Sequence, residues 1–219
     1  MAEIMWMVPV SGSDLVAGEP LPYQIYLANG VPLANRGQIL TDPDQLEILR
    51  RQGWRGLTAE DPPRADALTP DEAAARMDRQ VRACFQPQRR PPLSEALALV
   101  ADDMSLSLKL LSRLLREQGL SRIAAAENGR QAVIQFFRQR PALAFLDIDM
   151  PGLDGIDVLK QIKSWSPDTF VCLVSGNATM VNVKVAKTYG VDAFLVKPIS
   201  GLNLQRVLSL YANSTQAAE

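Results

Sequence analysis

The C-terminal half of the sequence places polar and charged residues directly after several short apolar runs. Those residues are Asp102, Asp103, Asp147, Ser175 and Lys197. Apolar runs of this length, each followed by turn-forming residues, are typical of buried parallel strands. Because parallel strands end at the same edge of a sheet, these residues are expected to converge. Each one alone has an ordinary explanation, but chance does not account well for all of them standing at strand ends.

The chemistry of such a cluster follows from its charges. Three carboxylates held close together repel one another, which raises their pKa values unless a cation joins them. A hard divalent cation with oxygen ligands, most simply Mg²⁺, solves this problem and also screens an incoming phosphoryl group. Asp147 could then attack phosphorus, since carboxylates are known nucleophiles in phosphoryl transfer. Lys197 would offer a positive charge and Ser175 a hydroxyl donor to the phosphoryl oxygens.

From Leu97 onward, strand-like and helix-like segments alternate five times. This alternation predicts an α/β fold with a five-stranded, doubly wound parallel sheet, right-handed crossovers and helices on both faces. Helices are predicted to start near Ser105, Asn128, Asp154, Ala178 and Ser200. Strands are predicted near Leu97–Ala101, Arg122–Ala126, Ala142–Leu146, Phe170–Val174 and Ala193–Val196.

The motifs Asp102-Asp103, Leu146 to Gly155, Ser175-Gly176 and Lys197-Pro198 resemble the receiver domain of two-component response regulators. The similarity spans about Leu97 to Leu210 and implies the flavodoxin-like receiver fold. It also implies a function: Asp147 would be the phosphoacceptor, with Lys197 and Ser175 binding the phosphoryl group. A cis peptide bond between Lys197 and Pro198 is implied as well.

The same resemblance implies a set of Mg²⁺ ligands. Asp103 and Asp147 would bind the ion directly, Asp102 would act mainly through water, and the main-chain carbonyl of Asp149 would complete the protein's share.

Two positions differ from the commonest receiver pattern, and two others are expected to tune phosphoryl lifetime. Ser175 stands where threonine is more frequent, and Phe194 stands where many receivers carry a tyrosine switch residue. Phe194 can still fill or vacate the pocket near Ser175, although it has no hydroxyl. Asp149 and Asn177 occupy the rate-tuning positions of the family. On phosphorylation, we expect the face around Ala178–Tyr189, Phe194 and Ser200–Tyr211 to be remodelled.

Composition changes near Ser94, because 11 of the 15 prolines precede it. We therefore predict a small, β-rich α+β interaction module over residues 1–68, followed by a capped helix and a Pro-rich linker over 69–93. The receiver would cover 94–212 and a disordered tail 213–219. A Pro-rich loop within a single domain is the alternative to the linker.

Within the module, strands are predicted over Ile4–Val10, Tyr23–Ala28 and Val31–Leu40, with a hairpin turn at Asn29-Gly30. Capped helices are predicted from Asp42 and from Thr69. The second carries an apolar stripe, which would either dock on the module or pair two protomers; its residues are Ala74, Met77, Val81 and Phe85.

Residues from Val8 to Gly53 resemble a small module found upstream of HD-GYP cyclic-di-GMP phosphodiesterase domains. This resemblance raises an alternative function, a cyclic-dinucleotide-linked effector that binds nucleotide through the N-terminal module. The HD-GYP catalytic domain itself is excluded, because the chain contains no histidine and therefore lacks its metal ligands.

Composition also excludes several function classes. A net charge of −1 provides no excess positive charge to attract nucleic acid or an anionic membrane. No apolar run approaches the length that a membrane-spanning helix needs. The first ten residues lack the basic region of a secretory signal, and Cys84 and Cys172 are predicted to be reduced core thiols. The location is therefore expected to be cytoplasmic.

Taken together, the residues predict a response regulator that switches protein contacts. The expected partners are a sensor histidine kinase or phosphotransfer protein, a downstream protein target and, in a homodimer through the receiver or the N-terminal module, a second copy of the chain. No enzymatic activity is expected beyond self-catalysed phosphorylation and dephosphorylation of Asp147.

Overall fold

The computed structural model describes residues 4–28, 30–58, 60–61, 64–84, 90–176 and 186–216. It divides the chain into two compact units, Met1–Cys84 and Phe85–Glu219. Among the described residues, no helix combines the length and the hydropathy that crossing a bilayer requires.

The first unit is built on a four-stranded antiparallel sheet in the order β1-β4-β2-β3. Its strands are β1 (Trp6–Pro9), β2 (Ile25–Tyr26), β3 (Pro32–Ala34) and β4 (Trp54–Leu57), and a short 3-10 helix covers Gly12–Asp14. Gly30 has a φ of +84°, which suits the predicted hairpin between β2 and β3; Asn29 lies outside the described residues. Strand β3 is an edge strand that begins at Pro32, as a missing N–H donor requires.

Two predictions for this sheet were wrong. Strand β3 ends at Ala34 rather than Leu40, because the chain turns at Asn35–Gln38 with Gly37 at a φ of +79°. Strand β4, which pairs with both β1 and β2, was not predicted at all. Its short sequence contains Gly56, where a Cβ atom would lie 2.8 Å from the side chain of Ile4, so close packing rather than β-propensity selects this glycine.

The two helices of the first unit begin where their capping residues predict. Helix α1 covers Pro43–Gln52 and stops before Gly53, and helix α2 covers Pro70–Cys84. The N–H of Thr69 donates to the Glu72 carboxylate (2.9 Å) and the N–H of Glu72 donates to the Thr69 hydroxyl (3.3 Å), which is a complete capping box.

The first unit extends past the predicted module boundary at residue 68. The capped helix predicted at the start of the 69–93 segment contacts β1 and belongs to this unit. Of its predicted apolar stripe, the side chains of Met77, Val81 and Phe85 lie outside the described residues.

The second unit contains the predicted five-stranded parallel sheet, in the order β6-β5-β7-β8-β9. Its strands are β5 (Leu97–Ala101), β6 (Arg122–Ala126), β7 (Leu143–Asp147), β8 (Phe170–Ser175) and β9 (Ala193–Val196). Strands β7 and β8 each run one residue further than predicted, so that Asp147 and Ser175 are themselves the last strand residues. The remaining strand boundaries match the prediction, apart from the start of β7 one residue late.

Four helices of this unit are α3 (Ser105–Glu117), α4 (Gly129–Gln139), α5 (Gly155–Trp165) and α6 (Gly201–Gln216). Asn128 caps α4 by accepting from the N–H of Gln131, and Asp154 caps α5 by accepting from the N–H of Asp157. Of the helix predicted from Ala178, only residues 186–188 are described, and they are helical.

Side chains alternate between the two faces of the sheet along each strand. Because both faces are apolar here, helices cover both of them. One face packs Val100, Phe145 and Cys172 against buried leucines of α3 and α6. The strand residues of the opposite parity are equally buried, and on that side α4 contacts α5 through the rings of Phe137 and Trp165, whose centroids are 4.6 Å apart.

Hydrogen bonds join residues near the start and the end of the described part of the second unit. The disordered tail predicted from residue 213 is therefore wrong at its start. Helix α6 continues past Asn213 to Gln216, since the Ser214 hydroxyl bonds to the Tyr211 carbonyl and receives a hydrogen bond from Arg90. The Tyr211 hydroxyl in turn donates to the Pro91 carbonyl (2.6 Å). Arg90 and Pro91, which we had assigned to the linker, are therefore part of this unit.

Candidate functional site

The strand order reverses direction between β5 and β7, since β6 lies on one side of β5 and the later strands lie on the other. In doubly wound sheets such a reversal opens a crevice beyond the carboxyl ends of the two strands, because the connections leave toward opposite faces. Asp102 and Asp103 directly follow β5, and Asp147 ends β7. The topology therefore positions the predicted acids at this crevice.

The three acids form a compact cluster. One carboxylate oxygen from each of Asp102, Asp103 and Asp147 lies within 4.8 Å of the others, with Asp102 and Asp147 buried and Asp103 exposed. The Asp102 carboxylate also accepts a hydrogen bond from the N–H of Met104 (2.9 Å), which fixes the turn that leads into α3. Oxygen atoms from three carboxylates are a donor set suited to a hard divalent cation.

Lys197 brings positive charge to the cluster from the end of β9. Its Nζ lies 2.7 Å from Asp102 Oδ2 and 3.0 Å from Asp147 Oδ1. Burial acts to lower the pKa of Lys197, but hydrogen bonds and charge from the two acids outweigh it, so the net pKa is raised and the ammonium stays charged. The peptide bond to Pro198 is cis, as predicted.

Asp147 is the least satisfied group at the site. Burial raises the pKa of this carboxyl, Lys197 opposes the change, and the charges of Asp102 and Asp149 add to it. Asp147 Oδ1 lies 3.0 Å from Lys197 Nζ, which also contacts Asp102, and it has no further hydrogen-bond partner among the described residues. One lysine beside three clustered carboxylates leaves negative charge that a bound cation would neutralise, so the residues fit a metal ion.

The other predicted site residues that the structure describes lie on β8, on β9 and in the loop after β7. Ser175 is buried at the end of β8, and its carbonyl accepts from the N–H of Lys197 (2.9 Å), which joins β8 to β9 beside the site. Phe194 is half-buried on β9, the edge strand of the sheet, and Asp149 is exposed in the loop after β7. Asn177 lies outside the described residues, so its role stays a prediction.

Gly155 is a site residue that sequence reasoning quoted but gave no role. A Cβ atom at this position would lie 2.1 Å from the carbonyl oxygen of Asp147 and 3.1 Å from the Cα of Ile148. Helix α5 therefore begins in direct contact with the backbone of the strand end that carries Asp147. The signal was available in the Asp154-Gly155 pair, where a capping residue precedes a glycine at the first helical position.

Gly155→Ala is expected to destabilise the second unit by about 2 kcal/mol, since the overlap is with backbone that cannot rotate away. It should also slow any chemistry at Asp147, because the strand end must shift. Urea unfolding and phosphate uptake from a small phosphodonor would measure the two effects. Gly201→Ala is the matched control: Gly201 is the first residue of α6, and a Cβ there meets nothing within 4 Å. Equal losses in both variants would contradict the explanation.

The sequence matches known proteins over this second unit. A family model described as the response regulator receiver domain matches residues 98–209. The chemotaxis protein CheY of Bacillus subtilis is 34% identical over 100 residues, covering 46% of this chain and 83% of CheY. The uncharacterized transcriptional regulatory protein YesN of the same organism is 31% identical over 113 residues, covering 51% of this chain but only 30% of YesN.

PrrA of Mycobacterium tuberculosis, a transcriptional regulatory protein, is 36% identical over 100 residues, which cover 42% of its own length. The chain thus spans less than half of YesN and PrrA, and the remainder of those proteins has no counterpart in the match.

Solved structures agree on the fold. A receiver domain from Clostridium thermocellum superposes with a TM-score of 0.53 at 25% identity, covering 57% of this chain and 99% of that domain. CheY of Borrelia burgdorferi, solved in complex with CheX, beryllofluoride and Mg²⁺, superposes with a TM-score of 0.51 at 30% identity, covering 53% of this chain and 89% of that structure. The family model covers half of the chain, and the fold and acidic crevice agree with it: this chain belongs to the response regulator receiver family.

Proposed function

We propose that this chain is a phosphorylation-controlled response regulator in which Asp147 accepts a phosphoryl group in the presence of Mg²⁺. The observation that carries the proposal is the cluster of three carboxylates from Asp102, Asp103 and Asp147, of which Asp102 and Asp147 share one lysine. Asp147 is ion-paired with Lys197, but the clustered carboxylates carry more negative charge than that lysine balances. This excess negative charge lies at the crevice where ligands bind in this fold class.

Asp103 and Asp147 would hold the ion directly and Asp102 through water, with the main-chain carbonyl of Asp149 as the last protein ligand. When bound, Mg²⁺ supplies positive charge that neutralises the acids and the phosphoryl oxygens. Lys197 Nζ lies 3.0 Å from Asp147 Oδ1, so its ammonium would form an ion pair with the phosphoryl oxygens once the group is attached to Asp147. Beyond this self-catalysed phosphorylation and dephosphorylation, the proposal includes no further enzymatic activity.

The switch would act through β8, which neighbours the strand of Asp147, and through the edge strand β9. Phosphorylation adds about −1.5 to −2 charges and new acceptor oxygens, which attract the Ser175 hydroxyl. Movement of Ser175 would vacate space for the half-buried ring of Phe194 on β9, which pairs with β8. The edge strand and α6 would then favour a second packing arrangement.

The proposed phosphodonor is a sensor histidine kinase or a phosphotransfer protein, and the proposed output is a protein contact, with another copy of the chain or with a downstream target. The complex of the Borrelia CheY with CheX supports protein binding by this fold in the beryllofluoride-bound state. The net charge of −1 offers no excess positive charge for a nucleic-acid backbone.

Solution mass tests the output. Light scattering would be measured on the full chain with and without Mg²⁺ and beryllofluoride, a mimic of the phosphoryl group, with Asp147→Ala as the control. We expect the mass to rise on addition of both reagents, and we expect Asp147→Ala to abolish that rise.

Two other outcomes would change the proposed output or the proposed function. An unchanged mass, with beryllofluoride binding verified by calorimetry, would exclude self-association as the output and require a different protein partner. Absence of beryllofluoride binding to the wild-type chain would contradict the proposed function as a whole.

A further inference from the structure

The first unit contains an open cavity of about 770 Å³ that has no part in the chemistry at Asp147. This volume lies within the range of roughly 300–1,000 Å³ that is usual for small-molecule sites. The side chains that give it chemical character come from the 3-10 helix, the segment entering β2, the turn after β3, and β4. They are Asp14, Tyr23, Gln24, Arg36 and Arg55.

Arg55 is held in place before any ligand arrives. Its guanidinium lies 4.9 Å from the centroid of the Tyr23 ring, and its Nη2 lies 3.2 Å from Asp61 Oδ1. Asp61 is itself fixed, because it accepts from the N–H of Thr58 (2.8 Å) and from the Thr58 hydroxyl (3.1 Å). The contacts shown by the described residues use one N–H of Arg55, and a guanidinium has five. The others remain available to a ligand without loss of side-chain freedom on binding.

Tyr23 and Asp14 form the second preorganised pair. The Tyr23 hydroxyl donates to Asp14 Oδ2 at 2.7 Å. Burial, and then this hydrogen bond, raise the pKa of Tyr23, so the hydroxyl remains a donor. The carboxylate of Asp14 keeps acceptor capacity for N–H or O–H groups of a ligand, and the ring of Tyr23 offers a flat apolar surface beside a guanidinium.

Arg36 supplies a second positive charge from the turn Asn35–Gln38. Its side chain is exposed, and it has no ion-pair or hydrogen-bond partner among the described residues. The lining thus carries two guanidinium groups and one carboxylate, and although Asp61 outside the lining pairs with Arg55, the charge of Arg36 has no ion-pair partner among the described residues. Planar guanidinium forks match phosphate oxygens in bidentate geometry, so the cavity favours an anionic ligand.

We propose that this cavity binds a nucleoside phosphate. The phosphate would be held by Arg36 and the free donors of Arg55, the base would lie against the Arg55–Tyr23 stack, and Asp14 would accept from N–H groups of the base. A bare phosphate would leave most of the volume and the aromatic surface unused. A second carboxylate in place of a base would be repelled by Asp14.

This site adds a ligand input that the proposed phosphorylation of Asp147 does not require. The two ideas therefore fail separately. Asp147→Asn should leave nucleotide binding unchanged, while loss of nucleotide binding should leave phosphate uptake at Asp147 intact.

Isothermal titration of the full chain with inorganic phosphate, GMP and cyclic-di-GMP tests the proposal. At least one of the two nucleotides should bind with a Kd below about 1 mM and at least about tenfold more tightly than inorganic phosphate. Arg36→Gln and Arg55→Gln should each weaken that binding about tenfold or more. Thermal melts would verify that both variants remain folded.

Arg51→Gln is the matched control, because it removes the same charge from α1, where Arg51 is exposed and pairs with Glu47 at 2.8 Å. It should leave the Kd unchanged. Three results would overturn the proposal: no nucleotide binding tighter than about 1 mM, equal weakening in Arg36→Gln and Arg51→Gln, or inorganic phosphate binding as tightly as the nucleotides. The last result would mean a simple anion site.

Discussion

Asp147→Asn is expected to abolish phosphoryl acceptance and, without Mg²⁺, to raise the free energy of unfolding by about 1 kcal/mol. The first effect follows because an amide cannot act as the nucleophile. The second follows because burial raises the pKa of the Asp147 carboxyl, so the charged form is disfavoured in the folded chain. Asparagine keeps the shape and removes the charge.

With Mg²⁺ present, the wild-type chain should be more stable than Asp147→Asn, which reverses their order without Mg²⁺. A ligand present at 100 times its Kd stabilises the state that binds it by about 2.7 kcal/mol. The wild-type chain should gain this stabilisation, whereas Asp147→Asn, which lacks a proposed ligand charge, should gain little. Urea unfolding in EDTA and in excess Mg²⁺ would measure both states, and uptake of labelled phosphate from acetyl phosphate would measure acceptance.

Asp103→Asn separates charge relief from metal binding. Asp103 belongs to the same cluster but is exposed, so its neutralisation should change the unfolding free energy without Mg²⁺ by less than about 0.5 kcal/mol. It should nevertheless remove most of the Mg²⁺ effect. If Asp147→Asn takes up phosphate at the wild-type rate, Asp147 is not the acceptor. If the wild-type chain shows no Mg²⁺ effect, the metal site itself is wrong.

The part of the fold that could be predicted from sequence is the part governed by local rules. Each strand of the parallel sheet is a short apolar run, and several described helices start after a recognisable capping residue, such as Asn128 or Asp154. Convergence of Asp102, Asp147 and Lys197 then followed from parallel topology, which brings all strand ends to one edge.

The features that escaped prediction depend on contacts between distant segments. Strand β4 is short, and Arg55 and Gly56 at its centre lack strand propensity; it forms because β1 and β2 flank it on both sides. The cavity beside it could not be foreseen, since Arg55 reaches Tyr23 only through the β2–β4 pairing. The same limit hid the role of Gly155, whose partner is a backbone atom of Asp147.

A partly buried ion pair in the second unit could not be predicted either, because its members are 29 positions apart in the chain. Lys163 of α5 lies 2.7 Å from Asp192 Oδ2, which also accepts from the N–H of Val171 at the start of β8. The Lys163 side chain is 12% exposed and that of Asp192 24% exposed. Arg90 Nη2 lies 3.6 Å from Asp192 Oδ1. The Asp192 carboxylate therefore contacts residues of α5, of β8 and of the segment that begins the unit.

Asp192→Asn is expected to lower the free energy of unfolding by about 2 kcal/mol at neutral pH. The value is below the 3–5 kcal/mol typical of a fully buried pair, because part of Asp192 is exposed. The amide can still accept from Val171, and Lys163 Nζ still donates to the carbonyls of Pro167 (3.1 Å) and Thr169 (2.8 Å), so the loss comes mainly from the unpaired positive charge of Lys163. Chemical unfolding measured against pH would test this.

The pH dependence has a definite sign. Burial lowers the pKa of Lys163 and Asp192 raises it, with a net lowering, so removing the Asp192 charge should lower this pKa further. The unfolded chain then binds the proton more readily than the folded chain. The deficit of Asp192→Asn should be largest below the folded-state pKa and should shrink as pH rises toward the ordinary lysine value of about 10.4.

Two comparisons make the result specific to burial. Asp157→Asn breaks the pair between Asp157 and Lys160 on the same helix, where the side chains are 41% and 37% exposed, and should cost less than about 0.5 kcal/mol. Adding Lys163→Gln to Asp192→Asn should recover part of the lost stability and flatten its pH profile, since no unpaired ammonium remains. A double variant less stable than Asp192→Asn alone would show that the loss does not come from the unpaired charge of Lys163.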